Sequence, residues 1–181
     1  TEAPRIAVVA PAYNESMTIV ENIKSLLSLH YPDLQLIVVN DGSKDDTLEK
    51  VIREYNMYQV NYYMEDQIAT QRVRGVYKSH NKAFRRLLFV DKENGGKADA
   101  LNVGLNVATT DLVACIDVDT MLEEDAFLKM VKPFFFFLEK KVIAAGGIIK
   151  VANSCEVRAG KLITPRIPAK FLPRVQIIEY I

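Results

Sequence analysis

The chain has 181 residues, of which 49% are hydrophobic and 25% charged, and its 23 basic residues balance its 23 acidic residues. This length predicts one folding unit with a substantial core, and zero net charge argues against a protein that holds nucleic acid by bulk attraction to phosphate. Two cysteines are too few for a disulfide framework, and no apolar run approaches the roughly 18 residues of a membrane span.

Apolar runs alternate with segments of helical periodicity along the chain. This alternation predicts an α/β fold in which helices flank a mostly parallel sheet. In such sheets ligands bind beyond the carboxyl ends of the strands. The predicted strands are residues 5–10, 34–40, 60–64, 87–90, 112–116 and 142–151, and the predicted helices are 19–27, 48–55, 98–108 and 123–132.

Four polar motifs follow predicted strands and should therefore meet at one edge of the sheet. PAYNES occupies residues 11–16, NDGSKDD occupies 40–46, DKENGGKADALN occupies 91–102, and DVDT occupies 117–120. The last motif follows a strand in which Cys115 is expected to be buried as a small apolar residue. PAYNES lacks the glycines of G-x-G-x-x-G, which argues against a dinucleotide cofactor.

The DVDT motif places two carboxylates one residue apart. In an extended chain Asp117 and Asp119 point to the same side while Val118 faces away. Two like charges so close are costly unless a cation lies between them or one is protonated, and a hard divalent ion such as Mg²⁺ or Mn²⁺ is the natural neutraliser. The alternative is a solvated turn in which Asp119 or Thr120 caps the next helix.

Two further positions carry both a functional and a structural interpretation. Lys97 falls in the first turn of a helix, where a cation is unfavourable unless an anion docks there, with Gly95 and Gly96 allowing close approach. The alternative is a glycine-rich turn with an exposed lysine. Asp41 could accept from the base or ribose of a nucleotide. With Gly42 it could equally form a simple turn.

Taken together and in this order, the four motifs resemble those of family 2 glycosyltransferases with the GT-A fold. The motif DKENGGKADALN and the C-terminal segment PRVQIIEYI most resemble the membrane-embedded processive synthases of β-linked polysaccharides such as poly-N-acetylglucosamine. The resemblance implies one GT-A-type domain over residues 1–181 with a basic insertion at 67–86. It implies a nucleotide-sugar site formed by Pro11, Ala12, Tyr13, Glu15, Asp41, Gly96, Lys97 and Asp117, and a Mg²⁺ or Mn²⁺ site formed by Asp119 with Asp117.

The basic insertion has three interpretations. It contains six basic residues and no acid, and it could lie on anionic lipid, guide a charged donor or form a mobile, solvated loop. The loop is the preferred interpretation.

The resemblance also implies a reaction. A UDP-sugar, UDP-N-acetylglucosamine or UDP-glucose, would donate its sugar to a growing glycan with inversion. The catalytic base is expected beyond Ile181, because the chain lacks the family's downstream E-D and Q-x-x-R-W motifs. The chain is thus expected to be a soluble, donor-binding part, without the acceptor-binding part, of a protein embedded by flanking segments at the cytoplasmic face of the cell membrane. The alternatives are a sugar nucleotidyltransferase, which would need a glycine-rich loop after the first strand, and a non-catalytic nucleotide-binding or scaffold domain.

Overall fold

The structure, a computed structural model, describes residues 3–64, 67–136, 142–147, 156–158 and 161–164. The chain divides into two compact units. The first consists of Thr1–Ser28 with Pro32–Thr120, and the second of Leu29–Tyr31 with Met121–Ile181. All the predicted site residues belong to the first unit.

The first unit is built on a six-stranded sheet whose order is β3-β4-β5-β2-β1-β6. The β1/β2, β1/β6 and β2/β5 pairs are parallel, whereas β3/β4 and β4/β5 are antiparallel. This confirms the predicted α/β fold with a mostly parallel sheet. The strands are β1 (Ile6–Ala12), β2 (Leu34–Asp41), β3 (Met57–Val60), β4 (Val73–Ser79), β5 (Leu87–Lys92) and β6 (Leu112–Cys115), and the helices are α1 (Ile19–Leu27), α2 (Thr47–Glu54) and α3 (Lys97–Val107), with a 3₁₀ helix at Lys82–Phe84.

The core lies around the central strands. β1, β2 and β5 are nearly continuous apolar runs that are buried along their length, as expected for parallel strands covered on both faces. Helix α3 covers one face and packs Ala100, Val103 and Val107 into the apolar cluster that contains Val9 of β1. This packing fixes the start of α3 beside the carboxyl ends of β1 and β2, where the predicted motifs meet.

The preferred loop interpretation of the basic segment 67–86 is wrong. Residues Val73–Ser79 form β4, which pairs with both β3 and β5, and Lys82–Phe84 forms a 3₁₀ helix. The predicted strand 60–64 is also displaced, because the strand that pairs with β4 is Met57–Val60 and residues 61–64 have no regular structure. Asn56, whose φ is 46°, makes the turn that directly precedes β3.

Strand β6 lies at an edge of the sheet, and its residues alternate between intermediate and exposed positions. Cys115 is exposed, so the prediction that it is buried is wrong. The cause is the edge position, which leaves one side of β6 without a neighbouring strand within the described part of the chain.

The second unit contains short elements. The predicted helix 123–132 is two helices, α4 (Ala126–Met130) and α5 (Lys132–Phe136). Pro133 explains the break, since proline is tolerated in the first turn of a helix but not in its interior. In the predicted strand 142–151, residues 142–147 have no regular structure and 148–151 lie outside the described residues. β7 (Glu156–Arg158) and β8 (Lys161–Thr164) pair antiparallel. No helix in the described ranges is long and apolar enough to cross a membrane.

Candidate functional site

One cavity of about 420 Å³ opens at the carboxyl ends of the parallel strands. It brings together all eight residues that the sequence predicts for nucleotide-sugar binding, and it adds Asn94. Asp119, the predicted metal ligand, is not among the lining residues. The lining residues are Pro11, Ala12, Tyr13, Glu15, Asp41, Asn94, Gly96, Lys97 and Asp117.

The loop after β1 is held by the loop after β2. The Asn14 backbone N–H donates to Ser43 Oγ (2.9 Å), and the Lys44 N–H donates to Asn14 Oδ1 (2.8 Å). Asn14 has a φ of 55°, in the left-handed region where asparagine is better tolerated than most residues. These reciprocal bonds fix the turn that carries Tyr13 to the cavity wall.

A second set of bonds fixes Glu15. Its N–H donates to Thr47 Oγ1 (3.0 Å), and the N–H of Ser16 donates to Asp45 Oδ2 (3.0 Å). Thr47 Oγ1 in turn donates to Asp45 Oδ1 (2.5 Å). Burial alone would raise the pKa of Asp45, but the hydrogen bonds from Thr47 and Ser16 hold it below its ordinary value. The wall of the cavity is therefore set by contacts between two strand-end loops.

The Asp41 carboxylate is buried and fully hydrogen-bonded. Its Oδ1 accepts from Lys92 Nζ (2.5 Å) and from the Gly95 N–H (3.0 Å). Its Oδ2 accepts from the Gly96 N–H (2.8 Å) and from Asn94 Nδ2 (3.2 Å). A carboxylate has about four acceptor positions, so these four donors use its capacity.

The electrostatics of Asp41 follow from this environment. Burial would raise its pKa, but the hydrogen bonds from Lys92, Gly95 and Gly96, together with the charge of Lys92, hold the pKa below its ordinary value. The carboxylate orders the turn that begins α3. Its predicted contact with a nucleotide base stays a prediction, and that contact would have to displace one of the four donors.

Lys92 is a residue that the sequence analysis missed. Its side chain is completely buried, and its ammonium group forms ion pairs with Asp41 (2.5 Å) and Asp99 (2.6 Å). Its third contact is the Glu93 carbonyl oxygen (2.6 Å). An ammonium group has three N–H donors, and all three are used. The charged pair Asp91 and Lys92 at the end of an otherwise apolar strand was the available signal.

A second network joins the buried Asn40 of β2 and Asp91 of β5 to the partly exposed Arg74 of β4. Asn40 Nδ2 donates to Asp91 Oδ1 (2.7 Å), and Arg74 Nη2 donates to the same oxygen (2.8 Å). Ser43 Oγ donates to Asn40 Oδ1 (2.5 Å), which links this network to the loop after β1. Arg74 belongs to the basic segment, so at least one charge of that segment has a structural partner.

Lys97 and Asp117 face each other across the cavity and form an ion pair. Lys97 lies at the first position of α3, and Asp117 follows β6. Both side chains are more than half exposed, at 62% and 55%. Each is thus accessible to a ligand in the cavity, and each neutralises the other in this structure.

The DVDT motif is a turn rather than an extended chain. The Thr120 N–H donates to the Asp117 carbonyl oxygen (3.0 Å), and β6 has already ended at Cys115. Val118 is buried, while Asp117 and Asp119 are exposed. The alternative in which Asp119 or Thr120 caps the next helix is wrong, because α4 begins at Ala126 and Asp125 occupies its N-cap.

Comparison with known proteins identifies the family. The model of the family described as "Glycosyl transferase family 2" matches residues 7–172. The chain belongs to glycosyl transferase family 2. The poly-beta-1,6-N-acetyl-D-glucosamine synthase of Staphylococcus epidermidis is 35% identical over 130 residues, which are 71% of this chain and 25% of that protein. The synthase of the same description from Staphylococcus aureus strain COL is 31% identical over 166 residues, which are 90% of this chain and 32% of that protein.

The chain therefore spans about a quarter to a third of the length of these two synthases. Among solved structures, the mannosyltransferase PcManGT from Pyrobaculum calidifontis, in complex with GDP-Man and Mn²⁺, gives a TM-score of 0.54 at 27% identity, covering 73% of this chain and 33% of that one. S. aureus TarS 1-349 in complex with UDP-GlcNAc gives a TM-score of 0.51 at 20% identity, covering 83% of this chain and 39% of that one. This similarity shows the shared fold. Both support a GT-A fold for this family 2 chain.

The acidic turn after β6 offers ligands suited to a divalent metal. The Asp117 and Asp119 carboxylates are exposed oxygen donors, which Mg²⁺ and Mn²⁺ prefer. Within the ranges that the structure describes, no group of three or more His, Cys, Asp or Glu side chains could hold a metal ion. Two carboxylates are fewer oxygen ligands than such an ion takes, so a cation held at this turn would need further ligands from a bound molecule or water.

Proposed function

We propose that this chain is the donor-binding part of a glycosyltransferase and that its cavity binds a UDP-sugar, either UDP-N-acetylglucosamine or UDP-glucose. The observation that carries the proposal is the convergence of residues from three strand ends and a helix start on one cavity of about 420 Å³. The names of the relatives, poly-beta-1,6-N-acetyl-D-glucosamine synthases, favour the first of these donors.

The two ends of the cavity suit the two ends of the donor. Pro11, Ala12, Tyr13 and Glu15 would form the wall beside the uridine, where Tyr13 is 43% exposed and offers an aromatic face. The start of α3 would receive the diphosphate, because free backbone N–H groups and the Lys97 ammonium group attract an anion there. Gly96 has a φ of 87°, and a Cβ added to it would meet no atom within 4 Å, so the turn leaves room for a phosphate.

Asp117 and Asp119 would bind the divalent metal, and Asp117 would also lie beside the ribose or the sugar. A bound Mg²⁺ or Mn²⁺ would supply Lewis-acid stabilisation of the charge that develops on the departing diphosphate. The Lys97 ammonium group would contribute to the same stabilisation as a fixed positive charge. For this to happen Lys97 and Asp117 must exchange their mutual contact for contacts with the ligand.

For the whole protein we propose transfer of the sugar to a growing glycan with inversion at the anomeric carbon. The proposal includes one GT-A-type domain and a membrane-embedded protein whose donor site faces the cytoplasm. These points extend beyond the chain, which covers 25–32% of the two relatives described above.

Calorimetry of the protein with UDP, in the presence and absence of Mn²⁺, tests the proposal. We expect binding that is tighter with metal, and stabilisation against heat by mass action that is greatest with the correct UDP-sugar among a panel of nucleotide sugars. Nucleotide binding by this chain, with no donor hydrolysis or transfer by the full-length parent protein, would favour a scaffold domain. Release of pyrophosphate from UTP and a sugar phosphate would favour a nucleotidyltransferase.

A further inference from the structure

We propose that the buried Lys92 is a positioning residue that holds Lys97 in place for the diphosphate of the donor. Lys92 lines no part of the cavity, and no function is assigned to it by the motifs that carry the family resemblance. The inference rests on the proposed function, because it concerns how the same site is preorganised.

The first step is the path from Lys92 to the residues before Lys97. The Lys92 ammonium group donates to Asp41 Oδ1 (2.5 Å), and Asp41 accepts the backbone N–H groups of Gly95 (3.0 Å) and Gly96 (2.8 Å). These two glycines directly precede Lys97. Without a cation at Lys92, the Asp41 charge would be buried and uncompensated, which is strongly unfavourable.

The second step is the path to the residues after Lys97. The same ammonium group contacts Asp99 Oδ2 (2.6 Å), and Asp99 lies in the first turn of α3. A carboxylate in this turn also interacts favourably with the positive end of the helix dipole. The Lys97 backbone is therefore held from both sides by groups that converge on one ammonium group.

The third step concerns the rigidity of the turn before Lys97. The Lys92 side chain is fully buried, and its three N–H donors meet three oxygens. A Cβ added to Gly95 would lie 2.6 Å from Asp99 Oδ2, so the turn is closely packed against this carboxylate. Binding groups that are fixed before the ligand arrives lose less entropy on binding, and they favour affinity for this reason.

The test is a double-mutant cycle on UDP affinity in the presence of Mn²⁺. Lys92→Met should lower the affinity about tenfold or more when Lys97 is present, and less than about threefold in a Lys97→Met background, because the two residues act as one unit. Amide exchange in the nucleotide-free protein should be faster at Gly95 and Gly96 in Lys92→Met. A lysine that serves only global stability would weaken binding equally in both backgrounds.

Lys92→Met leaves two carboxylates without their cation and could prevent folding. Asp99→Asn is the second variant, since it keeps the Lys92–Asp41 pair and removes only one charge. We expect the same dependence on Lys97 with a smaller loss of affinity. Equal losses in both Lys97 backgrounds, or unchanged exchange at Gly95 and Gly96, would overturn the inference alone. Absence of UDP binding by the unmodified protein would overturn the proposed function and the inference with it.

Discussion

The Lys97 ammonium group and the Asp117 carboxylate form an ion pair that joins the start of α3 to the turn after β6. Both side chains are more than half exposed, and ion pairs of this kind contribute only about 0–1 kcal/mol to stability. A ligand that offers a phosphate to Lys97 and a cation to Asp117 can replace this contact at little cost. Under the proposed function, the pair would therefore connect diphosphate binding to metal binding.

Replacing Lys97 should separate the effect of this residue on UDP affinity from its effect on Mn²⁺ affinity. Lys97→Met removes a charge-assisted contact worth about 1.5–3 kcal/mol, and we expect UDP affinity in Mn²⁺ to fall by about tenfold or more. The affinity for Mn²⁺ alone should stay the same or rise, since Asp117 loses its competing cation. Calorimetry measures both. Lys24→Met is the matched control, because Lys24 is an exposed lysine on α1. Equal losses of UDP and Mn²⁺ affinity would contradict a direct contact between Lys97 and the diphosphate.

The acidic turn should carry the metal-dependent part of donor binding. We expect Asp119→Asn and Asp117→Asn each to abolish most of the increase in UDP affinity that Mn²⁺ produces, about tenfold or more, because an amide is a weaker ligand for a hard cation. Titrations with UDP in Mn²⁺ and in a chelator measure this increase. Asp111→Asn, an exposed aspartate before the same strand, should leave it unchanged. If Asp119→Asn kept the full metal effect, the assignment of Asp119 as a ligand would fail.

Patterns in the sequence predict the fold where one local signal is enough. β1, β2 and β5 are nearly continuous apolar runs, and the helices between them have clear periodicity, so the parallel sheet followed from patterns within each segment. The meeting of the four motifs at one place followed from the rule that parallel strands end at one edge of the sheet. The eight residues within those motifs were implied by the resemblance to the family, and they line one cavity.

Patterns in the sequence do not predict features that depend on distant partners. β4 is a strand because β3 and β5 pair with it, and its exposed Arg74 and Lys78 hide this in the sequence. Lys92 is buried because Asp41, 51 positions away, neutralises it. The DVDT motif was read as extended, but a hydrogen bond from Thr120 to Asp117 closes a turn there. Pairing partners of this kind cannot be found by periodicity.

Asp41 should make the stability of the protein depend on pH. Its pKa is held below the ordinary aspartate value of 3.8, so the folded state favours the charged form. This contribution to the free energy of unfolding is fully present above the unfolded-state pKa, and it is lost as pH falls through the lower folded-state value. We expect the contribution of Asp41 to the free energy of unfolding to be independent of pH above about pH 5. Below about pH 4 this contribution should decrease.

Urea unfolding at a series of pH values measures this dependence. Asp41→Asn should lower stability near neutral pH by about 3–5 kcal/mol, because it leaves Lys92 with one fewer partner, and it should flatten the acid-induced decrease. Asp33→Asn, at an exposed position, is the control and should preserve the wild-type curve. A wild-type acid transition that survives unchanged in Asp41→Asn would show that other carboxyl groups cause it.

The contact between α3 and β1 gives a test of the packing that positions the site. Gly104 faces Val9, and a Cβ added to Gly104 would overlap both methyl groups of the valine. Gly104→Ala should therefore lower stability by about 1–3 kcal/mol through overpacking. The overpacking should outweigh the roughly 1 kcal/mol that alanine gains over glycine in a helix. Denaturant unfolding measures the net change.

Val9→Ala is the substitution that complements Gly104→Ala, because it removes the methyl groups that the new Cβ would overlap. Val9 is fully buried, so its truncation alone should also destabilise the sheet. In the double variant the new methyl group of residue 104 occupies part of the space that the valine leaves, so the combined loss should be smaller than the sum of the single losses by about 1 kcal/mol or more. Simple additivity would mean that α3 moves away from β1 to relieve the overlap. In that case UDP affinity should fall as well, because the start of α3 carries Lys97.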